Sequence, residues 1–272
     1  MVTAQFIGFS SSLLIGMSLG LIGGGGSLLT LPVLVYLLGI DPILSGAYSL
    51  FVVGATSLVG SVTYMRRALV DYRTALIFVI PSFIAVFLTR TYLLPAIPDP
   101  VFSQAGRYLS KEGALMLFFA AVMAAAAYSM MNERQSTAHA CPTVLFSRPS
   151  SGVAIAFGGA VVGAITGAVG AGGGFLIIPA LVLLAHLGMK TAVGTSLFII
   201  AIKSLLGFWG DTRAVTVDWG FLSEFTLLSV IGIFFGSYLS RFIAGEKLKK
   251  AFGRILLGMS LCILFKELRF LF

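Results

Sequence analysis

Charge is scarce in this chain. Asp, Glu, Lys and Arg make up 10% of its 272 residues, where an average soluble domain carries about a quarter. Cysteine is nearly absent. Cys141 and Cys262 are the only two, which excludes a disulfide framework and any thiolate metal cluster. Histidine is as rare, with His139 and His186 lacking partners at metal-ligand spacing. No HExxH, no Gly-x-Gly-Asp and no usable Ser/His pairing occurs, so the groups that intramembrane proteolysis or group transfer needs are missing. The expectation is a protein with no catalytic residues, no metal and no cofactor. Long polar runs are missing too, with one exception, "NERQSTAHACPTVLFSRPS" at 132–150. The start, "MVTAQFIGFSSSLLIG", lacks the basic region and small-residue cleavage site of a secretory signal, so its apolar run is expected to stay as a span.

What remains is apolar. Such residues make up 58% of the chain and the mean hydropathy is +1.04, which marks an integral membrane protein. No alternation of period two suggests a barrel, so the runs are read as helices, the other structure that satisfies its backbone inside lipid. The net charge of +8 does not imply nucleic acid, because the Lys and Arg residues lie in short loops between apolar runs.

The chain also contains itself twice. At an offset of 147 positions "GLIGGGGSLLTLPVLVYLL" (20–38) lies over "GAVGAGGGFLIIPALVLLA" (167–185), and "YSLF" (48–51) over "TSLF" (195–198). Ser57 meets Ser204, Gly60 meets Gly207, Arg66 meets Arg213 and Asp71 meets Asp218. Apolar segments fall at 5–22, 27–38, 42–65, 74–94 and 113–131, then at 152–169, 174–187, 191–209, 219–240 and 250–266. The predicted organisation is a first transmembrane repeat at 1–131, a polar linker at 132–150 and a second repeat at 151–272. "PAIPDPVFSQAGRYLSKE" forms a longer connection in the first half and reads as an extended surface loop.

Five crossings per half predict inverted halves, a plan found in secondary transporters. With both termini outside, inside loops hold eleven cations, among them Arg66, Arg67, Lys190 and Arg241, against six outside. The basic end "KELRFLF" runs against that balance. If the short segments re-enter instead of crossing, the repeats would be parallel.

The glycines carry the functional reading. Segment 27–38 would be about 18 Å long as a helix, short of a hydrocarbon core of about 30 Å. The glycines before it cost about 1 kcal/mol each in a helix, so the chain should break inside the membrane. A helix restarting at Ser27 or Gly174 points bare N–H groups at an anion. The candidate cradle is Gly23, Gly24, Gly25, Gly26 and Ser27, with Gly170, Gly172, Gly173 and Gly174 in the second half. Gly16 and Gly20, by contrast, read as helix-packing glycines, and Pro32 and Pro179 as kinks.

Ser49 and Thr56, two turns apart, align with Ser196 and Lys203, giving one polar stripe per half, with Tyr48 and Thr195 beside it. Any one hydroxyl could simply bond back to its own helix. Lys203 lies deep in "TSLFIIAIKSLLGFW", where a cation costs at least about 2.5 kcal/mol. Two readings stand: it snorkels or pairs with a carbonyl or Glu224, or it faces a substrate cavity. Arg66/Asp71 and Arg213/Asp218 read as loop-fixing ion pairs.

With "GAVGAGGGFLIIPAL" at 167–181 and its variant "GLIGGGGSLLTLPVL" at 20–34, the chain resembles the TauE/SafE family of membrane permeases. "TSLF" and the small-residue helix "LKKAFGRILLGMSLCIL" extend the likeness over nearly the whole chain. The first copy departs from the pattern where Ser27 stands for glycine and "YSLF" for "TSLF". The resemblance implies a multi-pass protein of the bacterial inner membrane that transports small sulfur-containing or organic anions, driven by an ion gradient or the membrane potential. The expected fold is an all-α polytopic membrane protein of two homologous five-segment repeats, each with a short broken or re-entrant helix after its glycine motif. The expected activity is anion transport by alternating access, with an anion channel on the same architecture as the alternative. Expected partners are a small anionic substrate and membrane lipid, with a proton or sodium as candidate coupling ion, a second copy of the chain as candidate assembly partner, and no nucleic acid.

Overall fold

The computed structural model describes residues 2–24, 30, 33–93, 96, 102–104, 107–109, 111–132, 152–169, 174–211 and 217–271. The linker beyond Asn132 lies outside them. Among the described residues the chain is helical, apart from one small hairpin in the long connection. There β1 (Phe102–Gln104) pairs antiparallel with β2 (Arg107–Leu109) where an extended loop is predicted.

The first half comprises α1 (Val2–Ile22), a π-helical turn at Val33–Leu37, α2 (Pro42–Met65), α3 (Tyr72–Leu88) and α4 (Lys111–Asn132). The second comprises α5 (Gly152–Val169), α6 (Gly174–Leu183), α7 (Met189–Asp211), α8 (Trp219–Leu239) and α9 (Gly245–Leu271). Two starts are set by aspartate caps. Asp71 accepts from the Thr74 N–H at 3.1 Å and its hydroxyl at 2.7 Å, and Asp218 accepts from the N–H groups of Gly220 and Phe221 at 3.0 and 3.2 Å. The short segments end alike. Gly39 (φ 66°) and His186 (φ 52°) take the left-handed conformation, and the next N–H closes the turn, Ile40 onto the Leu34 carbonyl and Leu187 onto that of Leu181.

Among the described residues four helices are long and apolar enough to cross a bilayer: Leu44–Met65, Tyr72–Leu93 (α3 with the turn that continues it), Met189–Gly210 and Trp219–Leu239. α3 exposes Leu76, Ile80, Phe83 and Phe87, and α8 exposes Leu227, Ile231, Phe234 and Phe235. Apolar faces of this extent belong against lipid, and the molecule is a multi-pass membrane protein.

Helices pack in four principal pairs: α1 on α8, α3 on α5, α2 on α7 and α4 on α9. Glycine sets the closest approaches. A Cβ on Gly16 or Gly20 would collide with the backbone of Ser229 or Ile233 in α8, and one on Gly163 or Gly167 would press on Ser82 or Val86 in α3. In the first pair Ser12 Oγ also lies 2.7 Å from Ser229 Oγ. These glycines serve helix contact, as small residues do in membrane interfaces.

The same contacts give chain direction. In α1/α8 and α3/α5 residue numbers rise together, so the partners run the same way. In α2/α7 they run opposite, with Leu50 against Gly207, the Phe51 ring 4.9 Å from that of Phe208, Gly54 against Leu205 and Gly60 against Leu197. Gly60 also meets Ile233, and Tyr64 Oη lies 3.0 Å from Ser240 Oγ, so α2 runs with α8. α1, α2 and α8 therefore point one way and α3, α5 and α7 the other.

Candidate functional site

The helix break predicted after Ile22 is present. Gly23 donates the last α1 bond to the Leu19 carbonyl at 2.7 Å and turns out of the helix with φ +75°. Only glycine fits there, since a Cβ would lie on Ser196 Oγ and the Ile178 side chain. Gly24 is buried beside it. In the second half α5 stops at Val169 and α6 starts at Gly174, the predicted restart, itself buried. Gly25, Gly26, Ser27, Gly170, Gly172 and Gly173 lie outside the described residues, as do Pro32 and Arg213. Pro179 falls inside α6.

The stripe residues divide by what they bond. Ser196 is buried next to Gly23 and returns its hydroxyl to the Val193 carbonyl at 2.8 Å. Ser49 is half-buried. Thr195 Oγ1 accepts the backbone N–H of Asp71 at 3.0 Å, and Tyr48 Oη accepts that of Asp218 at 2.8 Å. Each hydroxyl thus ties a span of one half to a loop of the other. The two aspartates anchor those loops as helix caps.

Thr56 and Ser57 differ from the rest. Both are fully buried in α2, and neither hydroxyl has a hydrogen-bond partner among the described residues. Helix back-bonding, the ordinary fate of such a group, accounts for Ser61, Thr63 and Ser196 but not for these two. A buried hydroxyl left unbonded costs about 1–3 kcal/mol, so the pair stands out among the span hydroxyls.

Lys203, half-buried on α7, donates from Nζ to Ser82 Oγ of α3 at 2.9 Å. Ser82 is fully buried, and it is the partner that sequence reading did not find; nothing in the spacing of α3 distinguishes it from other span serines. The α2/α7 register puts Lys203 at the same depth as Thr56, on the side of α7 that faces α3. Gly23 and Ser196 form a second cluster seven residues along α7, about 10 Å away. Glu224 is exposed and lines a cavity of ≈ 590 Å³ with Tyr48, Asp218 and Phe221. Among the described residues no three His, Cys, Asp or Glu side chains are placed to hold a metal ion.

A bundle of apolar spans with broken helices and a lysine held in its interior defines a polytopic membrane transporter. The chain belongs to the TauE/SafE family: the model described as "Sulfite exporter TauE/SafE" matches residues 8–263. It is similar to a "Probable membrane transporter protein" of Xylella fastidiosa (strain 9a5c), 29% identical over 98% of this chain and 97% of that protein. It is also similar to "Probable membrane transporter protein YunE" of Bacillus subtilis (strain 168), 30% identical over 80% of this chain and 81% of that one. No solved structure matches it significantly. Family and relatives alike indicate a membrane transporter.

Proposed function

We propose that the protein is a secondary transporter of a small anion, with sulfite and organosulfonates as first candidates, acting across the bacterial inner membrane by alternating access. The observation that carries this reading is the unpartnered, buried pair Thr56 and Ser57 level with the Lys203 ammonium. Two acceptor-seeking hydroxyls and one cation offer an anion what the bilayer removes from it.

Alternating access rests on two inverted repeats, for which the packing supplies support. Gly16 on Ser229 and Gly20 on Ile233 recur, 147 positions on, as Gly163 on Ser82 and Gly167 on Val86. Tyr48 on Asp218 recurs as Thr195 on Asp71. The equivalent helices α2 and α7 run antiparallel, so the axis relating them lies across the helices, in the membrane plane. Halves related in that way can rock about a central site and open it to either face in turn.

The test is uptake of radiolabelled sulfite, taurine and sulfoacetate into proteoliposomes under imposed proton or sodium gradients. Saturable uptake with counterflow by excess internal substrate is expected. Single-channel currents without counterflow would replace the carrier by a pore, and no anion flux would overturn the reading.

A further inference from the structure

The end of the bundle where α2 and α8 finish carries a basic cluster that lies outside the proposed anion site. After Met65 the chain presents Arg66 and Arg67 in a turn, and α8 is followed by Arg241. Between the two helices runs a groove of ≈ 880 Å³. Its walls are apolar, with Val59, Val62, Phe234 and Phe235, and Arg66, Arg67 and Arg241 gather at its end. An adjoining hollow of ≈ 360 Å³ adds Lys190 to Arg67 and Arg241. Among the described residues no carboxylate lines either space.

The arginines are held in place but not neutralised. Arg67 Nη1 donates to the Ser237 carbonyl at 3.1 Å, its guanidinium lies 5.6 Å from the centre of the Tyr64 ring, and its buried Nε meets no acceptor. Arg241 lies 5.7 Å from the centre of the Tyr238 ring, and its carbonyl accepts from Lys190 Nζ at 3.4 Å. Burial, and then the like charge of Arg241, press the Arg67 guanidinium below its usual pKa, against the opposing effect of Tyr64. Guanidinium stays charged through such shifts, so the cluster keeps its demand for an anion. The repeat gives no reason for it either, since Arg67, Lys190 and Arg241 fall opposite the uncharged Ala214, Ile43 and Leu94 at the 147-residue offset.

We infer that the α2/α8 groove binds an anionic phospholipid, its phosphodiester between Arg67 and Arg241 and its acyl chain along Val62, Phe234 and Phe235. The amphiphile matches the site at both ends. Arginine forks suit the paired oxygens of a phosphate, and the wall belongs to a helix face that is open toward lipid, with Phe234 51% and Phe235 59% exposed. A free anion would use the cations and gain nothing from the wall. The site is separate from Thr56 and Lys203, so it does not depend on the transport reading.

The test uses the full-length protein, delipidated in a neutral detergent, with native mass spectrometry and thermal unfolding as readouts. Phosphatidylglycerol should be retained and should raise the unfolding temperature, while phosphatidylcholine should do neither. The double variant Arg67→Gln/Arg241→Gln should weaken phosphatidylglycerol retention about tenfold. Val62→Trp, which fills the groove and leaves every charge in place, should weaken it as well and provides the readout if the double variant folds poorly. Equal retention by the wild type and Val62→Trp would overturn the proposal. So would the same stabilisation by inorganic phosphate alone, or by phosphatidylcholine.

Discussion

Tyr48 Oη accepts the backbone N–H of Asp218 at 2.8 Å, across 170 residues of chain. The second turn of α2 is thereby fastened to the loop that starts α8. Thr195 and Asp71 repeat the arrangement at the other end of the α2/α7 pair. Tyr48→Phe and Thr195→Val should each cost about 1 kcal/mol, the net worth of one hydrogen bond. The expected fall in the thermal midpoint is about 2–4 °C, read by thermal unfolding in detergent.

Thr56→Val should separate stability from function. The hydroxyl is buried without a partner, so its replacement by a methyl group of nearly the same shape should leave the unfolding temperature equal or higher. Anion uptake should nevertheless fall at least about tenfold, the equivalent of one hydrogen bond to a charged group. A fall in stability with uptake unchanged would remove Thr56 from the site.

Lys203→Ala should lower uptake at least about tenfold at equal protein level, because the cation proposed to face the anion is lost while an ammonium that costs about 2.5 kcal/mol to place at depth is also removed. Ser82→Ala should have a smaller effect, since it removes one hydrogen bond of the ammonium and keeps the charge. Uptake by the two variants in the same vesicles decides the order.

Gly163→Leu should prevent tight docking of α5 on α3, because its Cβ meets the Ser82 carbonyl, a backbone atom that cannot turn aside. Overpacking costs about 1–3 kcal/mol and more where backbone must move, so the folded yield should drop sharply. Gly16→Leu should do the same at Ser229. Gly188→Leu, where a Cβ meets nothing within 4 Å, is the tolerated control, and monodisperse yield on size exclusion reads all three.

Inversion predicts that single cysteines at Ala68 and Gly220, introduced after replacement of Cys141 and Cys262, react with an impermeant thiol reagent from opposite faces of the membrane. Both positions are exposed and flank equivalent loops. Labelling of the two from one face would establish parallel repeats.

Helix positions were legible in the sequence because a bilayer admits few structures: apolar runs at 42–65, 152–169 and 219–240 become α2, α5 and α8 with ends shifted by at most one residue. The break before Gly174 was legible because glycine weakens helix wherever it clusters. Roles were less so. Tyr48 and Thr195 read as flanks of a substrate stripe, and the structure shows them gripping distant loops. The Arg66/Asp71 pairing read from proximity in sequence gives way to an aspartate cap. In both cases the partner is chosen by packing, which residue spacing along one helix does not encode.

From sequence alone come the membrane class, the duplicated glycine motif and a lysine deep in a span, since each follows from local hydropathy, backbone freedom or the cost of charge in lipid. Tertiary structure decided which hydroxyls are left unbonded, that Ser82 holds Lys203, that α2 and α7 run antiparallel, and that three cations gather at one groove. Those are relations between residues more than a hundred positions apart, and they exist only once helices have been brought into contact at a definite register.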